Sequence, residues 1–278
     1  MLRASLALYS GRGRSIPVMA GPLKGKLLPK SVALQNLAML FGRYEPDVVR
    51  EITSTPDPIK VAYDIGAHIG FMSLVLMKRV GTKGKVFAFE PVPENLTSIE
   101  QLISLNRIDG LIQVVPLAVG DNNGNQNMVL WQSPFMYLLE DALDEQKAGF
   151  CARIEIETCT LDEFVFERRN PPPDFMKIDV EGAETKVLRG AAKTVKTYSP
   201  RMVIEIHGPR YACETWDLVQ GFGYKWWHLI SSKREAVHCR EQLLSYFSSY
   251  AWTHHFLLVK EQAPEKVLTY VHCGNGEL

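Results

Sequence analysis

Residues 64–70 read Asp-Ile-Gly-Ala-His-Ile-Gly, a carboxylate followed by two glycines four positions apart. Glycine removes the Cβ that would hold backbone away from a ligand. A helix starting after such a turn aims its free N–H groups at the same place. Asp64 puts a negative charge beside the turn, where it can meet a cation. The dinucleotide fingerprint G-x-G-x-x-G would need a glycine at position 68, so that backbone can approach a pyrophosphate. His68 stands there instead, which favours a cationic, amino-acid-like ligand over a diphosphate. Glu90-Pro91 follows 26 residues after Asp64. That is near the spacing of about 20 at which an acid accepts hydrogen bonds from ribose hydroxyls. Ala118-Val119-Gly120-Asp121 offers a third acid, Asp121 for an adenine amino group, with Ala118 and Val119 to pack on the base. Taken singly, these are a tight turn, a strand-end acid and a turn aspartate. Taken in succession, they suit one nucleoside carrying a positively charged amino-acid tail, and S-adenosyl-L-methionine is such a ligand.

Two later stretches add polar groups. Lys177-Ile178-Asp179-Val180-Glu181-Gly182-Ala183-Glu184 puts three charges on one side of a buried strand tip if the strand persists. Glu205-Ile206-His207 ends the next strand, and His207 is a candidate general base because an imidazole titrates near neutral pH. His207, Asp179 and Glu205 are the candidates to take a proton. The acids and His207 could also hold a metal, but no H-x-H or H-x-x-x-H spacing supports one, and none is expected. His254 and His255 are adjacent on a strand, so their side chains point opposite ways and read as edge residues. Tyr44 and Glu45 read either as a cover on the ligand or as packing.

Strands alternating with helices must hold these groups. Val61–Ile65, Lys85–Glu90 and Gln113–Ala118 read as strands, separated by helices over Phe71–Val80 and Glu94–Asn106. Phe175–Asp179, Arg201–Ile206, Trp226–Ile230 and Phe256–Val259 read as later strands, with helices over Glu184–Ala192 and Thr215–Gln220. The alternation predicts a doubly wound α/β sheet, whose carboxyl edge is where ligands bind. Residues 1–58 differ. They read as an N-terminal extension with a hairpin around Gly21–Gly25, a helix from Ser31 through Leu40 and another starting near Pro46. Residues 59–278 form the main domain.

Composition excludes several classes. Thirty-one Lys and Arg balance 31 Asp and Glu, so no basic stripe is expected and nucleic acid is not a predicted partner. No apolar run approaches the roughly 18 residues of a membrane-spanning helix. Met1–Ser10 reads as a frayed start and not a signal peptide. The five cysteines show no C-x-x-C spacing, which suits free thiols in a reducing, cytoplasmic setting.

These motifs together resemble the FkbM family of S-adenosylmethionine-dependent methyltransferases over about residues 59–210. The resemblance rests on the 64–70 turn, Phe89-Glu90-Pro91, Ala118–Asp121, Thr160-Leu161-Asp162-Glu163-Phe164, Glu205-Ile206-His207 and, most specifically, Lys177–Glu184. His68 departs from it, because the family often has Asn there. The resemblance implies a Rossmann-like class I methyltransferase fold, with a seven-stranded, mostly parallel sheet whose last strand is inserted antiparallel. It implies methyl transfer to a hydroxyl of a sugar, glycan or secondary metabolite. Asp64, Gly66 and Gly70 would hold the methionine part, Glu90 the ribose and Asp121 the adenine side. Ala67, His68, Phe71, Pro91, Ala118, Val119 and Asp179 complete the implied cofactor set. An NAD(P)-dependent oxidoreductase on a related fold and a non-catalytic nucleoside-binding protein are the competing readings. The acceptor pocket is expected from the extension, the Pro134–Phe150 segment and the loop after His207.

Overall fold

The computed structural model describes residues 14–131, 137–139, 150–247 and 253–260. The Met1–Ser10 stretch, most of the Pro134–Phe150 segment and the tail beyond residue 260 lie outside them. Strands β1 (Ser15–Pro17) and β2 (Leu27–Pro29) pair antiparallel about the Gly21–Gly25 turn. Helix α1 (Lys30–Gln35) follows, then a 3-10 turn (Leu37–Met39) and helix α2 (Pro46–Ser54). The single helix expected through Leu40 breaks at Asn36. The Asn36 side chain accepts the Ala38 N–H and starts the 3-10 turn instead.

The main domain opens with β3 (Val61–Ile65), α3 (Phe71–Val80), β4 (Lys85–Phe89), α4 (Pro93–Asn106) and β5 (Ile112–Val115). The third strand stops short of its expected end at Ala118. Pro116 has no N–H for the ladder, and the chain leaves the sheet there. Strand β6 (Ala118–Val119) instead joins β7 (Gly124–Trp131), β8 (Tyr137–Leu139) and β9 (Phe150–Cys159) in a second sheet, ordered β6-β9-β7-β8.

After a π-helical turn (Glu163–Glu167), the chain returns to the main sheet as β10 (Phe175–Ile178). Helices α5 (Glu184–Gly190) and α6 (Ala192–Tyr198) lead to β11 (Arg201–His207). Then come α7 (Pro209–Gln220), β12 (Tyr224–Ile230), β13 (Lys233–Val237), α8 (Arg240–Tyr246) and β14 (Thr253–Lys260).

The main sheet runs β13-β12-β14-β11-β10-β3-β4-β5. Strands β3, β4, β5, β10 and β11 are parallel, and β14 inserts antiparallel between β11 and β12. This is the doubly wound, Rossmann-like sheet expected, with β13 as an eighth strand at one edge. Lys233–Val237 reads Lys-Arg-Glu-Ala-Val, a charged run without the apolar alternation that marks a half-buried strand. Charge of this kind suits an edge.

Two apolar layers cover the sheet. One side packs Tyr63, Phe87 and Phe89 edge-on around Phe164, with ring centres 4.9–5.8 Å from it. The other side packs Leu74, Val75, Ile99 and Leu102 of α3 and α4 together with Leu28, Val32, Leu40, Val48 and Ile52 of the extension. The described part of the extension therefore shares the core of the main domain. Asn106 ties the two by accepting the Leu27 N–H at 2.9 Å and donating to the Leu27 carbonyl at 2.8 Å. No helix among the described residues is long and apolar enough to cross a membrane.

A buried charge cluster closes this arrangement. Glu51 of α2 is 3% exposed and accepts from Arg201 of β11 at 3.3 Å and from Arg234 of β13 at 2.8 and 3.0 Å. Removing one partner of a buried pair leaves an uncompensated charge, at a cost of about 3–5 kcal/mol. Glu51→Ala should therefore lower unfolding stability by about that amount in urea titrations. A loss under about 1 kcal/mol would mean that the arginines are adequately solvated without it.

Candidate active site

A cavity of about 330 Å³ opens at the carboxyl ends of β3, β4 and β10, a volume in the range of ligand sites. Of the residues singled out from sequence, Gly66, His68, Glu90, Pro91, Ala118, Val119, Asp179 and Glu205 line it. Asp64, Ala67, Gly70, Phe71, Asp121 and His207 do not.

The turn after β3 is built for close approach. Gly66 has φ +77°, and a Cβ there would fall 1.8 Å from the Asp179 carbonyl oxygen. The N–H groups of Gly66 and Ala67 both bond the Phe89 carbonyl, which locks the turn to the end of β4. His68 has φ +51°, in the left-handed region where Asn, Asp and His are the side-chain-bearing residues most often found. This gives a backbone reason for His to replace Asn at position 68. Burial, then the nearby Lys177 charge, push its imidazole down to about 4, so the ring is neutral. Gly70 and Phe71 begin α3, and the Phe71 ring packs edge-on against Tyr44 at 5.2 Å.

Glu90 forms one wall. Its carboxylate accepts the His68 N–H at 2.8 Å, the Val92 N–H at 3.0 Å and an Asn95 amide proton at 3.1 Å. A carboxylate offers about four lone-pair sites, so about one remains for a ligand hydroxyl. Burial outweighs these donors and lifts its pKa to about 7. Because that pKa lies above the ordinary value of 4.5, folding stability falls as pH rises from about 4.5 to about 7 and is level beyond. Beside Glu90, the cavity wall is apolar, made by Val92, Leu117, Ala118, Val119 and Met128. Asp121 is exposed in the turn beyond β6 and contributes nothing to this wall. Because the chain leaves the main sheet at Pro116, the acid expected at a third strand tip is carried past the cavity.

Lys177 sits at the centre. Its buried ammonium donates to Asp179 at 2.9 Å and to the Gly66 carbonyl at 3.3 Å, and stands 3.8 Å from Asp64. Burial opposes its charge, but Asp179, Asp64 and Glu45 outweigh that and raise its pKa. Asp64 is fully buried, bonded by the Ser73 hydroxyl at 2.5 Å. It therefore acts beneath the turn as a counter-charge to Lys177, not as a contact for a ligand cation.

The far wall is acidic, with Glu45, Asp179, Glu181 and Glu205. His207 lies behind it. Its Nδ1 meets the fully buried Glu184 at 2.5 Å, and its Nε2 is 3.3–3.8 Å from Glu181, Asp179 and Glu205. Burial opposes charging this ring, but Glu184, Asp179 and Glu181 prevail and lift its pKa to about 10. An imidazolium cannot accept a proton, so the general-base role expected of His207 does not fit its surroundings. His255 is not at an edge, since β14 is inserted beside β11 and places His255 opposite Glu205. Glu45 precedes α2 with φ +38° and reaches the same corner. Burial opposes the charge of Glu205 and Glu45 as well, but His255 holds both below the usual carboxylate range. Sequence reasoning left His255 out of the site because a cross-strand pairing 50 residues apart has no local signature, and it left Glu45 open between covering the ligand and packing. For Glu45 the signal present was the Tyr44-Glu45-Pro46 entry into a helix.

Comparison with known proteins matches residues 64–226 to the methyltransferase FkbM domain. A hexuronic acid methyltransferase, AglP, from Haloferax volcanii is 29% identical over 165 residues, covering 59% of this chain and 63% of that protein. Methyltransferase sdnD from Sordaria araneosa is 27% identical over 175 residues, covering 52% of this chain and 66% of its own length. The chain thus spans a little under two thirds of these curated relatives. Among solved structures, a methyltransferase FkbM from Methylobacillus flagellatus aligns with a TM-score of 0.45 at 18% identity, covering 83% of this chain and 56% of that one. The matched segment runs from Asp64 at the glycine turn to Trp226 of β12, and so includes Glu90, the Lys177–Glu184 stretch and Glu205. With that domain matched over more than half its length, this chain belongs to the FkbM methyltransferase family.

Proposed function

We propose that the protein transfers a methyl group from S-adenosylmethionine to a hydroxyl of a sugar, glycan or related small molecule. The observation that carries this reading is the polarity of the cavity, from an apolar slot through Glu90 to an acidic wall. Adenine fits between Val92, Leu117–Val119 and Met128, and a ribose hydroxyl fits the remaining acceptor site of Glu90. The cationic sulfonium and amine then face Asp179, Glu45 and Glu205. A diphosphate would meet the same acids with repulsion, which disfavours a nicotinamide cofactor. The family and the hexuronic acid methyltransferase relative support a sugar-type hydroxyl as acceptor.

When bound, the cofactor supplies an activated methyl group and a good leaving group in its sulfur. The acceptor oxygen forms a bond to the methyl carbon as the C–S bond breaks, giving a methyl ether, S-adenosylhomocysteine and one proton. The chain's task is to align that oxygen, exclude water and take the proton. Asp179 is the acid assigned to the proton. It lines the cavity, and burial raises its pKa against the opposing pull of Lys177. Glu205 is tied to His255 and is a poorer base.

Calorimetric titration should show heat with S-adenosylmethionine and S-adenosylhomocysteine and none with NADH. The reverse pattern would defeat the reading. Gly66→Ala should cut methyl transfer by about 10²-fold, because the turn must move to admit the Cβ. Asp179→Asn should lower kcat by about 10²–10⁴-fold while S-adenosylhomocysteine still binds, and an unchanged kcat would remove Asp179 as the base. Because Glu90 must be ionised to accept from ribose and titrates at about 7, affinity for S-adenosylhomocysteine should rise by about tenfold from pH 6 to pH 8. Glu90→Gln should bind more weakly and flatten that dependence. A slope retained in this variant would assign the titration elsewhere.

A further inference from the structure

Glu205 and His255 face each other across the antiparallel β11–β14 pair, and Glu45 reaches between them from the start of α2. One donor atom from each of the three lies within 4.8 Å of the other two. His255 Nε2 is 3.1 Å from Glu205 Oε2 and 3.5 Å from Glu45 Oε2. Two observations set this corner apart from an ordinary ion triad.

The first is that His255 Nε2 and Glu45 Oε2 are both sealed from solvent and neither makes a hydrogen bond. The ring nitrogen meets Glu205 at 3.1 Å as an ion pair. The second is the spacing itself. With metal–ligand bonds of about 2.1 Å, donor atoms stand about 3.0 Å apart at a right angle and about 3.4 Å apart in a tetrahedron. The two separations, 3.1 and 3.5 Å, match those edges and so fit a single cation held between the three side chains.

We infer that Glu45, Glu205 and His255 form a binding site for one divalent transition-metal ion. Two carboxylates and one imidazole suit Mn²⁺, Fe²⁺ or Zn²⁺, and three protein ligands leave a position open for a further oxygen. That position faces the cavity, since Glu45 and Glu205 both line it. The ion takes the place of the proton on His255 Nε2, which is released to solvent. A second triad, Asp179, Glu205 and His207, is near at hand. It is the poorer site, because the Lys177 ammonium already occupies Asp179 at 2.9 Å and His207 is ringed by Glu184 and Glu181. If the open position takes the acceptor hydroxyl, the ion lowers the pKa of that hydroxyl. That role rests on the methyl-transfer reading above, whereas ion binding does not.

The test is titration of chelator-treated full-length protein with MnCl₂ and with ZnCl₂ by calorimetry, with free Mn²⁺ also followed by electron paramagnetic resonance. One ion should bind per chain. His255→Ala and Glu45→Gln should each weaken binding by at least about tenfold. The exposed His238→Ala should bind as the parent does. Circular dichroism establishes that each variant is folded, and Glu45→Gln is the milder change should His255→Ala unfold. S-adenosylhomocysteine binding, read on the same samples, reports on the cofactor separately, so its failure counts against methyl transfer and not against the ion. No binding of either ion up to about 1 mM would overturn the inference. So would undiminished binding in both ligand variants, or loss in His207→Ala with retention in His255→Ala.

Discussion

A single buried ammonium, that of Lys177, organises the cavity edge of this protein. It lies in the middle of a sheet, on β10, where an unpaired charge would not be tolerated. Its partners are therefore compulsory, and each comes from a part of the site that must be held still. Asp64 anchors β3, the Gly66 carbonyl anchors the glycine turn, and Asp179 anchors the chain leaving β10. The close approach of Gly66 to the Asp179 carbonyl then follows, because two segments bound to one ammonium are drawn together. The same arrangement explains why Asp64 is buried and does not meet the ligand.

From that centre, charge is sorted along the cavity. The formal sum over the chain is zero, yet the acids gather at one wall and the apolar side chains at the other. Part of the negative charge is balanced internally by Lys177, His207 and His255, each raised in pKa by the carboxylates around it. What is left over faces the cavity and suits a cationic ligand. Glu90 stands apart, since backbone and amide donors hold it without any cation beside it.

Much of this could be read from sequence, for a physical reason. Features set by neighbours in the chain leave local signatures. The glycine turn, the strand–helix alternation and Glu90 at the tip of β4 are such features. Features set by pairing between distant strands do not. His255 looked like an edge residue because nothing near it announces that β14 inserts beside β11. Asp121 lies away from the cavity for a different reason, since Pro116 is itself a local stop signal that ends β5 and turns the chain out of the main sheet. His207 was found, but its protonation depends on Glu184, Glu181 and Asp179 acting together, and the sum of their fields is a property of the fold.

The insertion of β14 also has a consequence for how the protein is made. β11 is flanked by β10 on one side and β14 on the other, and β14 spans residues 253–260. During synthesis, β11 leaves the ribosome about fifty residues before its second neighbour does. Through that interval it is an unsatisfied sheet edge, rich in Val and Ile and open to wrong partners. The acidic corner is likewise incomplete, with Glu205 present and His255 still to come. Assembly of the corner thus waits for β14, and a nascent chain that stalls short of it carries the glycine turn and the Lys177 centre but not the finished wall.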